Sequence, residues 1–218
     1  MDTDALLQAS RRLDWRFLLP HPELGHVGYL GAADDELFES LRLFSAAITR
    51  IDLSSIGGGS AAARRYDVVV LSDPSYEDLA AAPGLLRPGG SLYLEGRRHL
   101  SPLARSTRVS TRTEPQAGEG GGRVRVPRLG SAADYMQATR RLSLVDVRAY
   151  WHWPDFERCA EIVPLDDQAA LLHALSRRRS AGIARIKAKL GRSLVKLDYM
   201  ERLAPCFSIV GQRPDLSA

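Results

Sequence analysis

Short apolar runs alternate with amphipathic stretches through the first half of the chain. HVGYLG, ITRIDL and YDVVVLSD predict strands, and the last is apolar enough to be buried on both faces of a sheet. Between the first two, DDELFESLRLFSAA predicts a helix whose leading acids suit the positive end of the helix dipole. SYEDLAAAPGLL predicts another helix, RPGG a turn and SLYLEG a fourth strand. This alternation predicts an α/β fold with a mostly parallel sheet covered by helices.

The second half is less regular. Residues 101–126 are rich in Ser, Thr, Gly, Pro and Arg and lack an apolar period, which predicts a mobile loop. SAADYMQATRRL predicts a helix, LVDVRAYWHW a strand, residues 165–202 a helical insertion, and CFSIVGQR a last strand. We therefore predict one domain over residues 1–218, with residues 1–21 as an N-terminal cap.

The length and composition narrow the class of protein. A chain of 218 residues with 44% hydrophobic residues can bury a core of its own. The two cysteines, Cys159 and Cys206, have no metal-binding or disulfide spacing, and no apolar run approaches the ~20 residues of a membrane span. The N-terminus has no signal pattern. These features predict a cytoplasmic protein without a membrane span or metal site.

Charge gives little support for nucleic-acid binding. The 30 basic residues are opposed by 26 acidic ones, giving a net charge of +4. The most basic segment, SRRRSAGIARIKAKLGRSLVKLDYMERL, carries Ile and Leu at helical spacing with its charges mostly off that stripe. We favour a surface helix with solvated charges over a polyanion-binding face.

The order of these segments resembles a class I S-adenosylmethionine-dependent methyltransferase. The resemblance is carried by YDVVVLSD followed by LLRPGGSLYLEG, which is similar to that family's fourth strand, helix, Pro-Gly-Gly turn and fifth strand. It covers roughly residues 22–96 and 131–213. It implies a Rossmann-like sheet in which the last strand runs antiparallel between its two neighbours. It also implies S-adenosylmethionine as the cofactor.

The resemblance also implies positions for the site. Leu30, Gly31 and Ala32, with Ala33 after them, would border the methionine part of the cofactor. Asp52 would accept hydrogen bonds from the ribose hydroxyls, and Ser72 and Asp73 would face the transfer site.

Two departures mark this chain as a divergent or degenerate member of the family. The family follows an acidic strand end with Gly-x-Gly, whereas this chain has YLGAADD, in which Gly31 is alone. The second is a deletion: SSIGGGSAAARR stands where the family has a helix, a third strand and an acid for the adenine amine. We therefore predict a sheet that lacks one strand-helix unit.

Each candidate residue also has a structural interpretation. Asp52 would serve equally to end a strand or to bond the following turn, and Asp73 to cap the next helix. Gly57, Gly58 and Gly59 fit a flexible connector better than a phosphate cradle.

The aromatic segment AYWHWPDF supplies the remaining catalytic candidate. Alternation in a strand puts Tyr150 and His152 on one face and Trp151 and Trp153 on the other, so that one pair packs inward and the other lines a cleft. His152 titrates near neutrality in water, which makes it the best candidate base beside Asp73. The alternative is that these residues pack in the core, as we also favour for Trp15, Phe17 and Leu18 of the N-terminal cap.

Two functions remain open on the sequence. One is methyl transfer to a small molecule or glycan, which needs few obligatory protein groups because the sulfonium activates the methyl. The other is a noncatalytic methyltransferase-fold protein that binds a protein partner or forms a homodimer. A nicotinamide enzyme is disfavoured because Gly-x-Gly-x-x-Gly is missing.

Overall fold

A computed structural model of the chain describes residues 3–32, 36–53, 65–98, 130–176, 195 and 199–215. The N-terminal half contains α1 (Thr3–Arg12), a 3-10 helix η1 (Asp14–Leu18), β1 (His26–Leu30), α2 (Glu36–Phe44), β2 (Ala47–Arg50), β3 (Tyr66–Ser72), α3 (Tyr76–Leu85) and β4 (Leu86–Arg97). The rest contains α4 (Ala132–Arg141), β5 (Val145–Trp153), β6 (Glu161–Pro164), α5 (Gln168–Ser176), the single turn α6 (Met200–Leu203) and β7 (Cys206–Gln212).

The strands form one seven-stranded sheet in the order β2-β1-β3-β4-β7-β5-β6. β1 pairs in parallel with β2 and β3, and β3 with β4. β7 runs antiparallel to both β4 and β5, and β6 runs antiparallel to β5. The mostly parallel α/β fold and the reversed last strand between its two neighbours are confirmed. The chain thus has a Rossmann-like α/β fold.

Hydrophobic side chains cover the sheet on both faces. On one face, α3, α4 and α5 pack over the strands through residues such as Leu79, Tyr135 and Leu171. On the other face, η1 and α2 contribute Trp15, Leu37 and Leu41. The apolar run of β3 supplies buried residues to both faces, as predicted for an inner strand.

The seventh strand was not predicted. β6 extends the sheet beyond β5, at the edge opposite β2. Within the described residues β2 pairs only with β1, and the segment predicted to replace a strand-helix unit lies almost wholly in 54–64, outside them. The deletion therefore stays a prediction.

Other sequence predictions also fall outside the described part of the chain. The loop at 101–126 and most of the basic helical segment are in this group, together with Gly57, Gly58 and Gly59. Of the helical insertion at 165–202, α5 and the start of α6 are described. The single-domain boundary of 1–218 stays a prediction as well.

Candidate functional site

The carboxyl ends of β1 and β3 lie side by side. Leu30, the last residue of β1, pairs with Leu71 of β3, so that Gly31 and Ser72 follow at the same edge of the sheet. Leu30 is buried, whereas Gly31 and Ser72 are partly exposed. Three residues predicted to border the cofactor and the transfer site are therefore neighbours.

Asp52 lies at this edge on the other side of β1. The Ile51 amide, just beyond β2, donates to the Tyr29 carbonyl oxygen at 2.8 Å and holds the end of β2 against β1. Asp52 follows directly, and both it and Ala32 are exposed. The chain passes from β1 to β2 on one side of β1 and then returns to β3 on the other side. In open α/β sheets this reversal of strand order is the usual place for a ligand.

One face of Gly31, just after β1, is filled by the protein itself. A Cβ atom added to Gly31 would lie 2.6 Å from Cζ of Tyr29 and 2.9 Å from Cβ of Ser72. Both distances are shorter than carbon atoms tolerate without movement. Glycine is needed here for internal packing, so its presence alone does not indicate an open cradle for a ligand.

Asp73 lies at the end of β3 in a left-handed conformation, with φ of 45°. Its amide donates to the Glu95 carbonyl oxygen at 2.9 Å, and its Oδ1 accepts from the Arg97 amide at 2.8 Å. These bonds tie the end of β3 to the end of β4. The side chain is exposed at the predicted edge.

Asp73 does not cap the next helix. α3 is capped by Ser75, whose hydroxyl accepts from the Asp78 amide while the Asp78 carboxylate accepts from the Ser75 amide. This reciprocal pair is a capping box.

His152 lies inside the packed sheet, away from the strand ends. His152 is 2% exposed, and its Nε2 atom lies 2.8 Å from the hydroxyl oxygen of Ser208 in β7. Burial, followed by the positive charge of Arg12, lowers the pKa of His152 to about 3. The imidazole is therefore neutral at physiological pH and a weak base. In these surroundings a positional role through Ser208 fits His152 better than proton abstraction.

The other face of the aromatic strand is also buried. Trp151 and Trp153 pack in a T-shaped arrangement with ring centroids 4.8 Å apart, and Trp151 is 3% exposed. The predicted alternation of faces is confirmed. Both pairs point into packed regions. Tyr150 also borders a cavity of about 200 Å³ whose rim includes Arg148 and Gln212.

A buried ion pair, which sequence reasoning missed, lies beneath the carboxyl end of β4. The Arg12 guanidinium donates to both Glu95 carboxylate oxygens at 2.6 and 2.5 Å, with side chains 5% and 4% exposed. The Tyr93 hydroxyl also donates to Glu95, at 2.8 Å. Burial, then the charge of Glu95, raises the pKa of Tyr93. The sequence feature that indicates such a pair is the lone acid, Glu95, inside the apolar strand SLYLEG, because a buried carboxylate needs a partner.

Aromatic contacts, like the ion pair of Arg12 and Glu95, hold the N-terminal segment against β4. Trp15 of η1 stacks on Tyr93 with ring centroids 3.6 Å apart and planes 8° from parallel. The guanidinium groups of Arg12 and Arg97 each lie 5.3 Å from the centroid of the Phe156 ring. Trp15 therefore packs inward as expected, whereas Phe17 is 64% exposed.

The polar contacts extend across the sheet to a cysteine. Ser208 interacts with Tyr93 as well as with His152. Nδ1 of His152 lies 3.6 Å from Sγ of Cys159. Burial raises the pKa of the Cys159 thiol to about 11, so it stays protonated and is no nucleophile near neutrality.

The described residues contain no group of three or more His, Cys, Asp or Glu that would hold a metal ion. Among the helices that the structure describes, none has the length and apolar character needed to cross a membrane.

No family model matches the chain, and no curated protein matches it. Solved structures with a similar fold include phosphoethanolamine N-methyltransferase 2 of Haemonchus contortus in complex with S-adenosyl-L-methionine, at 12% identity and a TM-score of 0.47. That match covers 98% of this chain but 53% of the matched protein, so this chain spans about half its length.

Two others are matched over most of their length. One is a Thermotoga maritima S-adenosylmethionine-dependent methyltransferase, a possible histamine N-methyltransferase, with 13% identity, a TM-score of 0.42 and coverage of 94% and 89%. The second is a Haloferax volcanii methyltransferase in complex with the Trm112 activator, with 14% identity, a TM-score of 0.45 and coverage of 97% and 91%. These similarities concern the fold.

Proposed function

We propose that the carboxyl edge of β1, β2 and β3 binds S-adenosylmethionine and that the protein transfers its methyl group to a small molecule or glycan. The observation that carries this proposal is the convergence of Gly31, Asp52 and Ser72 where the strand order reverses. The reversed strand β7 between β4 and β5 supports the same family of reactions.

The residues at this edge fit the cofactor in part. Asp52 is an exposed acid just after β2, suited to accept hydrogen bonds from two ribose hydroxyls. Leu30, Gly31 and Ala32 would border the methionine part, although the phenol of Tyr29 occupies one face of Gly31. Asp52 is therefore the principal binding residue of the proposal.

Ser72 and Asp73 face the proposed transfer site. The sulfonium of the cofactor supplies an activated methyl group, so the protein contributes mainly alignment of the acceptor. Asp73 is held by the Arg97 amide and is exposed, which suits it to orient an acceptor hydroxyl or amine and to take its proton. His152 is not used in this scheme because its imidazole is enclosed and already bonded to Ser208.

Binding tests the proposal directly. Calorimetric titration with S-adenosylmethionine and S-adenosylhomocysteine should show binding to the unaltered protein. Asp52→Ala should weaken binding about ten- to a hundredfold, because a charged hydrogen-bond acceptor is lost. Asp52→Asn, which keeps one acceptor oxygen, should fall between the two.

Asp166→Ala is the matched control, since Asp166 is an exposed aspartate beyond β6 at the far edge of the sheet. It should leave binding unchanged, and thermal unfolding should confirm that all variants fold. Absence of binding to unaltered protein at millimolar ligand would overturn the proposal.

The second candidate is a noncatalytic protein that binds a partner or a second copy of itself. It is favoured by large apolar side chains left exposed on the N-terminal elements: Leu6, Leu7 and Phe17 are 41%, 52% and 64% exposed. The aromatic segment at 149–153 is mostly buried and offers no such surface. Sedimentation of the purified chain would reveal self-association, and Phe17→Ser should reduce it.

We further propose a cytoplasmic location. Both Cys159 and Cys206 are unpaired thiols, as expected in a reducing compartment.

A further inference from the structure

The contact between Tyr29 and Gly31 follows from the geometry of β1. Side chains two residues apart point to the same face of a strand, so the Tyr29 ring extends along β1 toward the turn. Its Cζ atom would lie 2.6 Å from a Cβ at Gly31. The end of the phenol thus fills the volume that a glycine in this turn otherwise leaves for a ligand.

Packing fixes this ring in place. Tyr29 is fully buried, at 0% exposure, and its ring lies 5.1 Å from that of Phe38 on α2 at an angle of 51°. Ser72 fills the same face, with its Cβ 2.9 Å from the same added Cβ position. A ligand therefore cannot reach the backbone of Gly31 from this face unless the phenol moves.

Asp52 is not closed off in this way. It lies on the other side of β1 and is exposed, as is Ala32. The two ends of the proposed cofactor thus meet different conditions. Its nucleoside end would lie at Asp52, and its amino-acid end would meet the phenol of Tyr29 beside Gly31.

We infer that Tyr29 is a specificity-determining residue that shields the backbone of Gly31, just after β1, so that the site binds the nucleoside part of its ligand more readily than the amino-acid part. This inference rests on the proposed function and makes a narrower claim about the same site.

Paired probes separate the two ends of the ligand. Adenosine carries the nucleoside alone, and S-adenosylhomocysteine adds the amino-acid end. In the unaltered protein the two should bind with affinities within about threefold of each other, since the second end gains little. Tyr29→Val, which keeps a strand-forming residue, should tighten S-adenosylhomocysteine binding about fivefold by freeing one backbone contact, while adenosine affinity stays unchanged.

Tyr29→Phe should tighten S-adenosylhomocysteine binding less than Tyr29→Val does, because only the hydroxyl is removed. Adenosine affinity should again stay unchanged. Tyr66→Val is the matched control: Tyr66 is a buried tyrosine at the opposite, amino end of β3, and its loss should change neither affinity. Near-ultraviolet circular dichroism checks that each variant is folded.

The outcomes distinguish the two claims. If the unaltered protein binds both probes and folded Tyr29 variants bind S-adenosylhomocysteine no more tightly, the inference is overturned and the proposed function stands. If only the Tyr29 variants bind S-adenosylhomocysteine, the inference stands and the proposed function of the native chain fails. If no variant binds either probe, both are overturned.

Discussion

The buried ion pair of Arg12 and Glu95 joins two segments that are 83 positions apart in the sequence. Removing one partner leaves the other charged and buried without an opposite charge, which is more damaging than removing both. Arg12→Met should therefore lower the free energy of unfolding by about 3–5 kcal/mol in urea titrations. Arg12→Met with Glu95→Gln should recover most of that loss, because glutamine still accepts from Tyr93.

Arg42→Met is the control for this prediction, since the pair of Arg42 and Glu39 is exposed at 58% and 59%. Arg42→Met should lower the free energy of unfolding by less than about 1 kcal/mol. A single Arg12 variant as stable as the Arg42 variant would contradict a structural role for the buried pair.

The depressed pKa of His152 predicts a loss of stability in mild acid. The unfolded chain binds a proton at this residue below its ordinary pKa of 6.5, whereas the folded protein does so only near 3. Stability is therefore full above pH 6.5 and falls as the pH drops toward 3. Lowering the pH from 7 to 5 should reduce the free energy of unfolding by about 2 kcal/mol through this one group.

His152→Gln, which keeps a side chain able to bond Ser208, should flatten that dependence. Urea unfolding at pH 7, 6 and 5 gives the slope for each protein. Equal slopes for the variant and the unaltered protein would show that His152 is not held neutral by burial.

At the element scale, α3 illustrates what a sequence specifies locally and what it does not. The presence of the helix follows from its composition, and the SYED sequence contains the Ser75 and Asp78 pair that begins it. The role considered for Asp73 did not hold, because its carboxylate bonds the Arg97 amide of a strand that local sequence does not place. Contacts within a few residues could be predicted, and contacts between elements could not.

Removal of this cap should destabilise the protein measurably. Ser75→Ala loses the hydroxyl that accepts from the Asp78 amide and should lower the free energy of unfolding by about 1 kcal/mol. Glu77→Ala, at an exposed position in the same turn, should cost less than about 0.5 kcal/mol. Equal effects in thermal or urea unfolding would argue against the capping box.

For the molecule as a whole, the mostly parallel sheet and the place of its last strand followed from hydrophobic periodicity together with the family resemblance. The apolar run of β3 and the reversed β7 were both anticipated. β6 was not, because its four residues, EIVP, are too few to show a period and depend on pairing with β5. The ion pair of Arg12 and Glu95 was missed for a related reason, because no local sequence pattern identifies a partner in a distant element.

β7 has a consequence for the order in which the chain folds. It is the last of the described strands to leave the ribosome, yet it lies between β4 and β5 and bonds to both. Until it arrives, those two strands have unpaired edges that face each other across a gap and are open to strands of other chains. The sheet therefore cannot close until β7 has been made and has inserted between β4 and β5, and until then the partly built sheet is exposed to aggregation.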